Sequence, residues 1–387
     1  MSFLKLTKKQ EEGIKIIKER YDRGEKYVTI AGYAGTGKTF MVERAMEALG
    51  LSEGEYKMAA FTGKAALVLR QRGFDAVTLH KLLYKSIKIG ENFIHKPKKF
   101  REDMEGVKVL VIDEISMVPN HILEEAIKHK LFIIALGDPF QLPPIGDDNY
   151  LLNSPHIFLD EIVRQGEGSS IVTLSKKIRD FDGTPIEIDG GDEVKVIERE
   201  QLVDGMLHWA DQILVSKNAT RKKINNFMRE QLGFSNVLPE NGDKIIFTQN
   251  NWDLENAAGF AVVNGMIATV DNVKYGRNLG EYGQVFSVDA KVDFSEVPFY
   301  DVKIDGNPFK GYKPMVQKQK KKKIELEQAD FGYAITVHKS QGSEFDKVLL
   351  FEERMNRNID LKALYTAVTR AKEKLVIVKS EYGSKLV

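Results

Sequence analysis

Residues 27–50 read YVTIAGYAGTGKTFMVERAMEALG, and this stretch decides the fold. YVTIA is a short β-branched, apolar run closed by a glycine, the pattern of a buried strand. TFMVERAMEALG has helical character and stops at Gly50, a suitable C′ glycine. Between them stands Gly32-x4-Gly37-Lys38-Thr39, the full phosphate-loop pattern in the strand–loop–helix setting it requires. Gly32, Gly35 and Gly37 free the backbone, so the N–H groups of the loop, Thr36 included, can wrap phosphate oxygens at the positive end of the helix. Lys38 is placed to reach β- and γ-phosphates, and Thr39 to ligate Mg²⁺. No G-x-G-x-x-G is present, which argues against a nicotinamide or flavin cofactor.

Outward from the loop, YKMAAFT (residues 56–62), VKVLVIDE (107–114) and LFIIALGD (131–138) are further apolar runs ending in small or acidic residues. Strands of this kind alternating with helical segments predict a parallel α/β sheet, with ligands at the carboxyl ends of its strands. VLVIDEIS (109–116) delivers two carboxylates there. Asp113 suits the magnesium shell, and Glu114 suits orienting or deprotonating an attacking water. The acid pair favours a hydrolase over a nucleotide switch.

The chain has 387 residues, room for two domains. Lysine plus arginine total 57 against 56 acidic residues, so nucleic-acid contact relies on a local patch. There is no cysteine, which excludes disulfides, thiolate catalysis and cysteine-ligated metal; His80 and His338 lack partners at zinc-ligand spacing. The first residues carry no apolar signal core and no apolar run is long enough to span a bilayer, so a cytoplasmic location without membrane contact is expected. Residues 85–101 carry two β-like segments around Gly90-Glu91-Asn92, a predicted hairpin inserted in the first domain. Residues 1–84 and 102–158 are assigned to that domain, and 159–241 with 324–387 to a second α/β unit. Residues 242–323 turn β-rich and are read as a small barrel inserted in the second. QKQKKKK (317–323) reads as a solvated loop or a DNA-contacting one.

Four further segments complete the pattern: GDPFQLPP (137–144), ADFGYAITVHKSQGSEFDKV (329–348), LYTAVTRA (364–371), and AFTGKAA (60–66) with TLHK (78–81). In this order they resemble the motif set of superfamily 1 helicases. GDPFQLPP and TVHKSQGSEF resemble the 5′-to-3′, RecD-like branch, and the small size and insertions resemble Dda-type phage helicases. The resemblance implies two RecA-like domains, a strand-separating hairpin in the first and an SH3-like β-barrel in the second. It implies that Gln10 reads adenine, that Gln141 senses the γ-phosphate, and that Arg164 and Arg370 reach it from the second domain. Gly342, beside Gln341 and Glu344, belongs to the motif touching nucleotide and DNA. Thr62, Lys64 and His80 match positions facing strand phosphates, and Pro143, His338, Ser340 and Glu344 fall in motifs that face nucleic acid.

Phe140, Phe93 and Trp252 are candidates for base stacking, each with an ordinary core reading beside it. Phe93 lies on the predicted hairpin, where it would meet the first base pair. The expectation is an ATP- and Mg²⁺-dependent DNA helicase moving 5′ to 3′ on single-stranded DNA, acting as a monomer on forked duplexes, with replication or recombination proteins as partners. Two alternatives stay open: an RNA helicase of the same superfamily, and a nucleotide-regulated strand-binding protein that does not translocate.

Overall fold

The computed structural model describes residues 5–89, 92–144, 150–163, 169–184, 186–188, 191–278, 284–314, 326–354 and 357–380. It divides into two compact units, residues 1–183 with Leu361–Thr369 and residues 184–360 with 370–387.

The first unit is built on strands β1 (Tyr27–Gly32), β2 (Tyr56–Ala60), β3 (Ala76–Thr78), β6 (Val109–Asp113), β7 (Phe132–Gly137) and β8 (Ile157–Leu159); β4 (Tyr84–Ile89) and β5 (Asn92–Pro97) pair apart from them. The six-stranded sheet runs β3-β2-β6-β7-β1-β8, every pair parallel. Alternate residues of its central strands enter two cores. Val28, Ile30, Val109, Val111 and Ile134 pack with helices Lys8–Asp22 and Lys38–Ala48. Leu110, Ile112, Ile133 and Ala135 pack on the other face with helix Asn120–Lys128. Both faces are covered, which is why these strands read as unbroken apolar runs.

β4 and β5 form the expected antiparallel hairpin, with Tyr84 opposite Pro97 and Lys88 opposite Phe93. It is shorter than residues 85–101: the return strand ends at Pro97, and Lys99–Glu102 make a turn. The side chain of Phe93 and the tip at residues 90–91 lie outside what the structure describes, as does the side chain of Trp252.

The second unit carries a five-stranded parallel sheet of order β18-β10-β19-β20-β9, from β9 (Val194–Ile197), β10 (Gln212–Val215), β18 (Ala334–Thr336), β19 (Phe345–Phe351) and β20 (Ala371–Val378). Between β10 and β18 the chain makes an antiparallel sheet, β16-β15-β14-β11-β17, from β11 (Lys244–Phe247), β14 (Ile267–Asn278), β15 (Gln284–Val292), β16 (Phe299–Asp305) and β17 (Ala329–Phe331). A separate antiparallel pair is formed by β12 (Asn251–Glu255) and β13 (Ala261–Val262).

Three boundaries differ from expectation. The first unit runs past residue 158 to Gly183, because β8 completes the first sheet, with Leu159 opposite Gly32. The antiparallel sheet closes beyond residue 323, because β17 pairs with β11. The segment Leu361–Thr369, expected in the second domain, packs with the first unit. The run at 317–323 lies outside the described residues.

β17 passes into β18 through Gly332, where an added Cβ would lie 2.9 Å from the carbonyl carbon and oxygen of Ile245. Helix Asn218–Gln231 clamps this crossing: Asn225 Nδ2 donates to Phe331 O and Ala334 O, and its Oδ1 accepts from Ala334 N. One turn on, the buried Arg229 guanidinium grips Asp243, which also accepts from the Tyr333 hydroxyl.

Candidate nucleotide site

The phosphate loop leaves β1 at Gly32 and enters helix Lys38–Ala48 through Gly37, which is left-handed at φ 74°. A Cβ on Gly37 would stand 2.7 Å from Gln10 Nε2, so the position is closed to larger residues by conformation and by contact. Gln10 caps the first helix with Thr7 and is buried; its Oε1 accepts from Thr7 N at 3.0 Å and its Nε2 donates to Thr36 O at 3.0 Å. The residue expected to read adenine thus also ties the first helix to the loop. Thr36 closes the turn, its hydroxyl donating to Tyr33 O. Lys38 Nζ donates to Gly32 O at 2.7 Å and Tyr33 O at 3.0 Å. With three protons on the ammonium, one donor remains for a phosphate oxygen.

Asp113 ends β6 and accepts from the Thr39 hydroxyl and, at 2.9 Å, from Glu114 N. Burial pushes its carboxyl above the usual carboxylate range; nearby Lys38 pulls it down, followed by the Glu114 N–H. Glu114 follows in a left-handed conformation, φ 53°, at the start of the 3₁₀ turn Ile115–Met117. Such a conformation in a non-glycine residue stores strain, a common feature of working sites. The residues fit a magnesium–triphosphate: Thr39 and Asp113 are already in contact, beside a lysine and a loop of N–H groups. The buried Gln141 fits it too. It is 4% exposed, on the loop that leaves β7.

Sequence reasoning missed Asp138. This residue is 1% exposed, and its carboxylate collects three donors: Ala34 N of the phosphate loop at 3.1 Å, Tyr365 OH at 2.8 Å and Phe140 N at 2.9 Å. Beside it Leu142 N donates to the buried Thr366 hydroxyl, and the Phe140 ring meets Tyr365 edge to face at 5.5 Å. The GDPFQLPP loop is therefore bolted to the phosphate loop and to the segment that precedes Arg370. The only signal was the acid inside GDPFQLPP, which reads equally as a solvated strand end.

In the second unit, buried Arg370 donates to Ser343 O at 3.0 Å, next to left-handed Gly342 at φ 73°. Gln341 is buried and Glu344 exposed. His338 is half-buried, and burial pushes its imidazole below its ordinary range. Ser340 corrects an expectation. It is fully buried and donates its hydroxyl to Val337 O, stapling the short helix Val337–Ser340, so it is not offered to a strand. Arg164 lies outside the described residues, and the described segments on both sides of it belong to the first unit, not the second.

Of the residues expected to face a strand, Thr62 caps helix Gly63–Gln71 by accepting from Ala65 N, and Lys64 is half-buried on its first turn. His80 is exposed, its ring 5.5 Å from Phe61 and 5.9 Å from Tyr84. Phe140 and Pro143 are half-buried.

Known proteins carry the same architecture. Residues 5–200 match the family model of the AAA domain, and residues 331–378 that of the UvrD-like helicase C-terminal domain. The ATP-dependent RecD2 DNA helicase of Deinococcus radiodurans is 28% identical over 391 residues, covering 91% of this chain and 46% of that protein. The ATP-dependent DNA helicase dda of Enterobacteria phage T4 is 32% identical over 151 residues, 38% of this chain and 34% of that protein. The chain thus spans less than half the length of these curated relatives. Among solved structures, the Pif1 helicase from Bacteroides in complex with ADP-AlF3 and ssDNA superposes with a TM-score of 0.58 at 20% identity, over 99% of this chain and 95% of that one. The chain belongs to the AAA domain family, carries at residues 331–378 a match to the UvrD-like helicase C-terminal domain, and is similar to RecD-like helicases of superfamily 1.

Proposed function

We propose that this chain is an ATP-dependent DNA helicase that moves 5′ to 3′ along single-stranded DNA and unwinds forked duplexes. The observation that carries the reading is the tie from Asp138 to the phosphate-loop backbone, which fixes the loop carrying buried Gln141. A group so placed suits an attacking water, and the same loop runs on through Phe140 and Pro143, the residues assigned to the strand. In the proposed cycle the loop amides and Lys38 hold the triphosphate, and Thr39 and Asp113 would hold Mg²⁺. The ion, when bound, neutralises charge that builds on the phosphates. Glu114 takes the proton of the attacking water, and Arg370 stabilises charge in the transition state, a role worth on the order of 10³ to 10⁵ in rate.

We read the hairpin β4–β5 as the strand-separating pin and the antiparallel sheet from β11 to β17 as the SH3-like insertion. The relatives and the Bacteroides Pif1 likeness support the assignment to DNA. The test is ATP hydrolysis with and without single-stranded DNA, in wild type and Glu114→Gln. Strong stimulation in wild type, with a loss of about 10²-fold or more in the variant while ATP still binds, is expected. A variant that hydrolyses ATP at the wild-type rate would remove Glu114 from the mechanism. Equal stimulation by matched RNA would remove the assignment to DNA.

A further inference from the structure

The turn after β5 builds a surface that the nucleotide cycle does not use. Phe100 is 61% exposed, the most exposed large apolar side chain among the described residues of the first unit. Its ring lies parallel to that of His129, within 4°, at a centroid distance of 6.3 Å, and the Arg101 guanidinium sits 5.6 Å from its centre. The backbone beneath is fixed. Arg101 N donates to His129 Nδ1 at 3.0 Å, Arg101 Nε to His129 O at 3.3 Å and Arg101 Nη2 to Lys130 O at 3.1 Å. Six described non-glycine residues have left-handed φ, and three of them meet here: Arg101, Asp103 and Lys130. Strain held by so many contacts marks places where a surface is shaped for use.

The rim is cationic. Lys96, Lys99 and Lys130 are exposed, and among the described residues none of them forms an ion pair. Three nearby carboxylates are engaged. Asp103 pairs with Lys98 at 2.6 Å, Glu102 accepts from Lys99 N and pairs with Lys85, and Glu125 pairs with Lys128. The surface sits at the hairpin's foot, where Lys98 N donates to Leu83 O and Lys98 Nζ to Lys81 O.

We propose that this surface is a second nucleic-acid site, which takes the displaced single strand of DNA as it leaves the hairpin. Phe100 stacks an unpaired base, and Lys96, Lys99 and Lys130 meet its phosphates. A single strand fits better than a duplex, because an aromatic face needs a base that is not already stacked. A protein partner fits less well, since one ring is a small apolar area and the lysines around it outside ion pairs suit a polyanion. The inference rests on the helicase reading above.

The test is binding of three DNAs by fluorescence anisotropy: a plain single strand, a fork with only the tracked tail, and a fork with both tails. Phe100→Ala and the pair Lys96→Glu with Lys99→Glu are compared with wild type. Both variants are expected to weaken binding to the two-tailed fork by about tenfold and to leave the other two DNAs unchanged. For the lysine pair, the salt dependence on the two-tailed fork should also fall by roughly one to two in log–log slope. Three outcomes overturn the proposal: no loss on the two-tailed fork, equal loss on the plain strand, or equal loss on the one-tailed fork. Stimulation of wild-type ATPase by the plain strand is read in the same series. Its absence sinks the helicase reading, whereas failure of the surface alone shows only in the difference between forks.

Discussion

Asp138 holds three donors at once, and no other side chain of its size can replace it. Asparagine offers one carbonyl oxygen and turns an N–H₂ toward an N–H or O–H, leaving a buried donor facing a donor. Asp138→Asn is therefore expected to lower kcat/KM for ATP by more than about tenfold, because the loop carrying Gln141 loses its tie to the phosphate loop. Tyr365→Phe removes a single hydrogen bond to the carboxylate and should cost roughly 1.5–3 kcal/mol of stability, read as a lowered urea midpoint. A Tyr365→Phe protein as stable as wild type would show that the contact carries no net energy. The contrast between these residues and the phosphate loop explains what sequence makes legible. Lys38, Thr39, Asp113 and Glu114 stand in local patterns whose chemistry follows from neighbours a few positions away. Asp138 draws its meaning from Ala34, 104 residues away, and Tyr365, 227 residues away. Ser340 shows the converse: a polar residue in a nucleic-acid motif that the helix consumes internally.

At the level of elements, the strands of the first sheet were readable because burial on both faces leaves them apolar throughout. β8 was harder. Its three residues alternate buried, exposed, buried, and only pairing with β1 assigns it to the first sheet. Two histidines tie such segments together. His156 Nδ1 accepts from Thr29 N at 3.1 Å, joining the approach to β8 to β1, and His129 Nδ1 accepts from Arg101 N. Burial pushes both imidazoles below their ordinary range. The folded state then binds fewer protons than the unfolded chain as pH drops below about 6.5, so stability should fall from there until the lowered folded pKa values are passed. Urea midpoints between about pH 7.5 and 5.5 check this, and His156→Gln, which keeps an acceptor without a charge, should flatten the slope. The hairpin makes a separate prediction: Phe93→Ala should leave DNA-stimulated ATPase intact while unwinding drops. Loss of both together would count against a pin.

For the whole molecule, two parallel-sheet units were legible from the alternation of strands and helices, but the line between them was not. The chain returns to the first unit for Leu361–Thr369 and leaves it at Arg370, a crossing no local pattern announces. In sequence Arg370 follows directly on the segment that Asp138 and Leu142 hold through Tyr365 and Thr366. The AAA domain family and the phosphate-loop site underlie the proposal that ATP hydrolysis here drives directional strand separation. The most direct test is unwinding of duplexes bearing a 5′ tail or a 3′ tail, each with and without ATP. The account predicts unwinding of the 5′-tailed duplex only, and only with ATP. Unwinding without ATP, or of the 3′-tailed duplex alone, would contradict it.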